Sequence, residues 1–347
     1  MSKKSFLVVL LSAGIALGGV ADASAATFQI RSAPFQKGMT LVDWGTTGYP
    51  VEAVRAKLDY LKSKNVKSVT LIQTWTQATY KTTDVYAGRT SVPDDNLIAA
   101  IRYAKSIGLS VLLRPFVDPS DGIWRGHIAI SSKNKNAWFA SYGRFALRYA
   151  EIAQREGADI YIFASEMGYM SVHYPKDWTA LANKVRAVFQ GPVGYESGWG
   201  YDFQYSKWLS AVDLIGVSAY NPLCGKPTNS VSKLVSSWKT RVVKPMQAFS
   251  KKFARPVFFS EIGYRPLAKA CLEPWNTEWL GPLDLTAQAN LYEAAFQVWW
   301  KQSSWFRGMH LWAMGARGER ATPEDHDPRD PAIARMSYWF GRSALGE

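Results

Sequence analysis

From about residue 37 onward, short unbroken apolar runs alternate with longer stretches whose apolar positions recur every three or four residues. The runs read as strands over Lys37–Trp44, Val66–Trp75, Leu109–Phe116, Asp159–Glu166, Pro192–Glu196, Val212–Tyr220, Pro256–Glu261 and Phe306–Trp312. They are continuous rather than alternating, as expected of parallel strands covered on both faces. The intervening stretches read as helices over Val51–Lys64, Asp94–Ile107 (opened by Pro93), Asn136–Glu156, Tyr174–Phe189, Ser230–Phe253 and Ala287–Lys301. A weaker helix is expected over Phe203–Ser210, and a last one from Asp330 to about Arg342. Eight such β/α units predict an α/β fold of the (β/α)8 TIM-barrel type, one domain over residues 26–347. A doubly wound open sheet is the alternative, but it would usually carry a Gly-rich turn after an early strand, and the sequence has none. No Pro/Ser linker, low-complexity tract or internal sequence repeat divides the chain.

In a barrel every strand ends at one mouth. Two strands end there in Ser-Glu: Asp159–Gly168 (DIYIFASEMG) and Arg255–Tyr264 (RPVFFSEIGY). A glutamate closing a buried strand is costly unless it is paired, hydrated or in use. The fourth and seventh strands would bring Glu166 and Glu261 to opposite sides of the mouth, and a carboxyl pair is what glycoside hydrolysis needs. One such residue alone reads as a salt-bridged surface glutamate. Two of them, with Tyr220 ending the sixth strand, read as chemistry.

Trp44, Trp75 and Trp312 end the first, second and eighth strands, where their faces can stack on a sugar ring or plug the core. Trp124 and Arg125 form either a loop-packing pair or a subsite wall. Asp118 is expected to position Arg125. Arg114 ends the third strand as a source of positive charge, and Glu196 ends the fifth as a rival carboxylate, ranked as a polar subsite residue. His127, His173, His310 and His326 share no metal-ligand spacing, and the polar segment ATPEDHDPRDPA lacks the EF-hand pattern, so no metal or cofactor is expected.

At the N-terminus, Lys3 and Lys4 precede an apolar run from Phe6 to Val20 and then Ala23-Ser24-Ala25. This reads as a signal peptide over residues 1–25, cut after Ala25, which predicts a periplasmic or secreted protein with no membrane insertion after cleavage. The chain of 347 residues carries +13, of which the leader's Lys3, Lys4 and Asp22 account for +1. That excess allows an anionic partner, but the basic residues are scattered and no binding motif accompanies them, so nucleic acid is not expected. With 15 Trp, 17 Tyr and 16 Phe, the chain has the aromatic faces that a sugar-stacking groove uses. Whether Cys224 and Cys271 pair is left open by the sequence, though an exported protein with two cysteines allows one bridge.

The order of elements resembles the clan A glycoside hydrolases, (β/α)8 enzymes with an acid/base Glu ending strand four and a nucleophile Glu ending strand seven. The resemblance implies Glu166 as acid/base and Glu261 as nucleophile, with Tyr220 in GVSAYNP donating to Glu261. More closely, LLRPFVDPSDGIWRGHI (Leu112–Ile128) looks like the family 113 glycoside hydrolases, where a KPHVD-type strand end is followed by a Trp-Arg-Gly turn. FASEMG and FFSEIGYRP resemble that family's strand-four and strand-seven ends. Three positions depart from the pattern: Arg114 stands where Lys is expected, Phe116 where His is expected, and Ser165 where many clan members carry an Asn that grips the sugar's 2-hydroxyl. The resemblance implies a retaining β-mannanase-like hydrolase acting on a polysaccharide or oligosaccharide, and the chain is expected to work as a monomer. Trimming of a self-made, acidic exopolysaccharide and non-catalytic carbohydrate binding are the alternatives.

Overall fold

The computed structural model describes residues 29–45, 48–317, 323 and 325–344. The leader expected over residues 1–25 lies outside the described residues, as does part of the polar C-terminal segment. Eight strands form in the expected order: β1 Gln36–Val42, β2 Ser68–Gln77, β3 Ser110–Pro119, β4 Ile160–Ser165, β5 Val193–Gly198, β6 Leu214–Ser218, β7 Val257–Ile262 and β8 Phe306–Gly315. Each pairs in parallel with the next, and β8 pairs with β1, closing a (β/α)8 barrel. Among the described residues, no helix is long and apolar enough to cross a membrane.

The helices follow the predicted periodicity, with three differences. The helix expected over Ser230–Phe253 is interrupted by a wide π turn at Trp238–Val243 before it resumes at Lys244–Phe253. Pro245 explains the break, because its ring collides with the carbonyl four residues earlier and it has no N–H to donate. The weak Phe203–Ser210 helix is two separate turns, Tyr201–Tyr205 and Leu209–Ala211, and a further short helix, Gly168–His173, precedes Pro175–Val188.

Alternation along the strands separates the barrel's interior from its jacket. In β3, Leu112, Arg114 and Phe116 enter the barrel, while Val111, Leu113 and Val117 pack outward on the helices. Leu112, Ile160, Ile162, Leu214 and Phe258 form a small apolar cluster inside with Ala33. His310 follows the same inward parity on β8 and is satisfied by Ser68, Thr70 and Gln36. Its ring lies on Gly38, where a Cβ would come within 2.4 Å of it. The segment before β1 is also tied in. Arg31 donates to the carbonyls of Phe189, Gly191 and Arg186, and its backbone N–H donates to Asp213.

Two strands break the alternation just before their glutamates. The register of β4 on β5 slips between Ile162 and Ser165, and that of β7 slips on both neighbours between Gly216/Ser218 and Phe259/Ile262. Without the slip, Glu261 would share the outward parity of Val257 and Phe259; with it, Glu261 pairs with Ser218 and turns into the mouth. Irregularities of this kind re-aim side chains beside functional sites.

Candidate active site

Glu166 and Glu261 line one cavity of about 1090 Å³ at the C-terminal mouth of the barrel. Glu261 is nearly enclosed, with 7% of its side chain exposed. Arg114 Nη2 donates to its Oε1 at 2.7 Å and the Tyr220 hydroxyl donates to its Oε2 at 2.9 Å. Both donors favour the ionised carboxylate. Glu166 keeps 13% of its side chain exposed, and its guanidinium neighbour is more distant, with Arg125 Nη1 lying 3.4 Å from Oε2.

Burial raises the proton affinity of both carboxyls, and the neighbouring negative charge of Glu196 raises it further. Arg125 opposes this at Glu166, as Arg114 does at Glu261. Groups so close titrate as a set, and the set holds a proton towards neutral pH. The hydrogen-bond donors decide where that proton rests. Glu261 has two at full bonding distance, which favours its ionised form over that of Glu166. One protonated and one ionised carboxyl at the same mouth can act as acid and nucleophile.

The backbone at Glu166 is unusual, with a left-handed φ of 51°. That geometry is costly for a residue with a side chain and persists where its surroundings over-determine it. Here the Glu166 N–H donates to the Glu196 carbonyl at 2.7 Å, its own carbonyl accepts from Gly168, and the Met167 N–H donates to the Tyr195 hydroxyl. The two motif glycines sit at close approaches. A Cβ on Gly168 would lie 3.0 Å from the Gly126 carbonyl, and one on Gly126 would strike the Trp124 ring at 2.2 Å.

Asp118 does hold Arg125, through contacts of 2.7 and 2.8 Å. Phe116 lies beneath that guanidinium, 3.8 Å from ring centroid to Cζ. Trp44, Trp124, Arg125, Tyr220 and Trp312 all line the cavity, and Trp44 and Trp312 stand 6.4 Å apart between ring centroids. A second hollow of about 540 Å³ shares Trp44, Thr277, Trp312 and His326 with the first, so the cleft continues past Trp312.

Four expected binding residues stand outside the cavity wall. Trp75 has the outward parity of β2; its ring packs on Phe145 and its indole N–H donates to Tyr149 at 3.0 Å, both on the helix Lys135–Arg155. Arg114, Ser165 and Glu196 are wholly buried behind the wall. The other terminal guanidinium nitrogen of Arg114, Nη1, donates to Glu196 Oε1, and the Ser165 hydroxyl donates to Glu196 Oε2 at 2.5 Å. Glu196 is therefore internally paired rather than a sugar-facing carboxylate, and Ser165 turns its only donor away from the cavity.

Other wall residues were not singled out from sequence. Trp199 and Tyr201 follow β5, and Trp275, 5.1 Å from Trp199 between ring centroids, comes from the loop after β7. For Trp199 and Tyr201 the position just beyond a strand end was the available signal, the same one that marked Trp312; Trp275, far along its loop, offered none. Asp202 gave no such signal. It is buried against the cavity, accepts from the Tyr195 hydroxyl and the Gly198 N–H at 3.0 Å each, and burial pushes its carboxyl up to about 7. The cysteines do pair: Cys224 and Cys271 form a disulfide that ties the loop after β6 to the loop carrying Trp275.

The model of Glycoside Hydrolase Family 113 matches residues 30–328. Among solved structures, a GH113 beta-mannanase from Alicyclobacillus acidocaldarius, in complex with ManMIm, superposes with a TM-score of 0.79 at 27% identity, over 89% of this chain and 98% of that one. Another, described as a complex of a GH113 beta-1,4-mannanase, gives 0.77 at 25% identity, over 89% and 99%. A beta-glucuronidase from Ruminococcus gnavus shares the fold alone, with a TM-score of 0.61 at 12% identity, over 88% of this chain and 50% of that one. No curated protein matches the chain.

Proposed function

The chain belongs to Glycoside Hydrolase Family 113, and on that footing we propose that it is an exported, retaining hydrolase of β-1,4-mannan or a closely related β-glycan. The observation that carries this reading is the unequal treatment of two carboxyls at one mouth. Glu261 accepts from Arg114 and Tyr220, as a nucleophile kept ionised requires, while Glu166 is left as the site of the proton. Glu261 attacks the anomeric carbon as Glu166 protonates the departing oxygen. Water, deprotonated by Glu166, then releases the sugar from Glu261. Trp44 and Trp312 offer faces for the pyranose rings, and the chain acts as a monomer without a metal. Mannan as substrate is supported by the two GH113 neighbours described as mannanases. Export is supported by the leader-like N-terminus.

The charge of the cleft speaks for a neutral glycan over an anionic one. Among its described wall residues, Asp118, Glu166, Asp202 and Glu261 face one arginine, Arg125. The basic excess of the chain thus lies elsewhere on the surface and does not prepare this cavity for a polyanion.

The test is release of reducing ends from a panel of neutral and anionic β-glycans by the mature protein, beside Glu261→Gln. Turnover of mannan that vanishes in the variant is the expected result, with the first product appearing in the β-anomeric form by proton NMR. An α-anomeric first product would overturn the retaining mechanism, and absence of turnover on every glycan would overturn the enzyme reading.

A further inference from the structure

Glu196 sits beside both reactive carboxyls without facing the cavity. Neither of its oxygens is free: one takes Arg114 and the other takes the Ser165 hydroxyl. Arg114 in turn reaches Glu261 with its second fork nitrogen at 2.7 Å. The result is a buried line running Ser165, Glu196, Arg114, Glu261, Tyr220, in which two carboxylates divide one cation. Neutralising Arg114 needs only one of them. A second buried negative charge is costly, and a neutral amide could fill the same space and still accept from Arg114. The presence of a glutamate here has a consequence for Glu261.

We infer that Glu196 is a positioning residue for the reaction: it holds one arm of Arg114 and so limits how much of that positive charge reaches Glu261. Glu261 is thereby kept in line with the anomeric carbon by a fixed donor, yet remains basic enough to attack. The charged and titratable groups around Glu261 agree with this division. Arg114 from β3 and Arg125 from the following turn favour its charged form, whereas Glu196 from β5 and Glu166 after β4 oppose it. Tyr220 after β6 donates to it, and His310 on β8 is held neutral by burial and by Arg114. This inference rests on Glu261 being the nucleophile proposed above.

The experiment follows the titration of Glu261 directly, by carbon NMR of protein labelled at the glutamate carboxyls and assigned with Glu261→Gln, alongside the acid limb of kcat/KM on mannan. In Glu196→Gln the midpoint should fall by about one unit, because Arg114 then serves Glu261 alone. Glu196→Asp, which keeps the charge, should stay near wild type. Ser165→Ala strips Glu196 of its hydroxyl donor, makes it lean harder on Arg114, and should move the midpoint up by a few tenths of a unit. It also reads the coupling if Glu196→Gln does not fold. Unchanged midpoints in the folded variants, with only the melting temperature lowered, would reduce Glu196 to a structural role and overturn the inference. Shifted midpoints in a protein that hydrolyses no glycan would confirm the coupling and sink the functional reading instead.

Discussion

Asp118 grips Arg125 through both carboxylate oxygens, at 2.7 and 2.8 Å, and in doing so withholds that guanidinium from Glu166, which it reaches only at 3.4 Å. The sign of the effect on Glu166 follows. Arg125 stabilises the ionised form of a group that must be protonated to act. Asp118→Asn frees Arg125 for Glu166 and should move the alkaline limb of kcat/KM to lower pH, by about half a unit. Arg125→Gln removes the charge and should move the same limb up. Equal movement in one direction by both variants would show that the Asp118–Arg125 pair does not govern Glu166.

Glu166→Gln should slow hydrolysis of polymer by about 10²–10⁴-fold, the usual contribution of a positioned acid. An aryl glycoside whose leaving group needs no proton should lose far less in its first step. Glu261→Gln should remove turnover of both substrates. Rates on polymer and aryl glycoside, compared for the two variants, separate the roles. A uniform loss in Glu166→Gln would argue against acid catalysis there.

His310 makes stability sensitive to acid. Its ring is fully buried, is met by Ser68, Thr70 and Gln36, and has its pKa lowered to about 3 by burial and by Arg114. Between that value and the ordinary histidine range, the unfolded chain binds a proton that the fold refuses. Its contribution is therefore complete above about pH 6.5 and is lost as pH falls towards 3, on the order of 4 kcal/mol across the window. Melting temperatures from pH 7 to 4 should fall less steeply in His310→Gln than in wild type, even if that variant starts lower.

The disulfide spans 47 residues and anchors the loop that presents Trp275 and Thr277 to the cleft. The double variant Cys224→Ser/Cys271→Ser should lose about 2–4 kcal/mol of stability. It should also raise KM for long glycans more than it lowers kcat, since Glu261 is held within β7 and Glu166 at the end of β4, whereas the bridge joins the loops beyond β6 and β7. Thermal melting and steady-state kinetics with and without a reductant would read both effects. A reductant-insensitive KM would mean that the loop holds its place without the bridge.

The barrel was legible because apolar runs and helical periods alternate eight times, and strand ends locate the mouth without any contact being known. Side-chain direction was not legible. Strict alternation would aim Glu261 outward with Val257 and Phe259; the slipped register that turns it inward is a property of three strands at once. Trp75 shows the converse, a strand-end tryptophan of outward parity absorbed by Phe145 and Tyr149. Glu196 looked like a subsite residue because sequence gives position along a strand but not what waits inside the barrel, here Arg114. Phe116 stands where an imidazole was expected, and its partner is the flat face of Arg125, nine positions further along the chain.

The anchoring of Arg31 also sets an order of assembly. Its partners lie 155 to 182 residues downstream. The strand it precedes closes on β8, which begins at Phe306. A chain emerging from its N-terminus thus holds β1 with one edge unsatisfied until nearly all of it has been made. Through that interval the open edge is exposed to pairing with another copy. The first strand of the barrel is therefore also the last to gain its second neighbour.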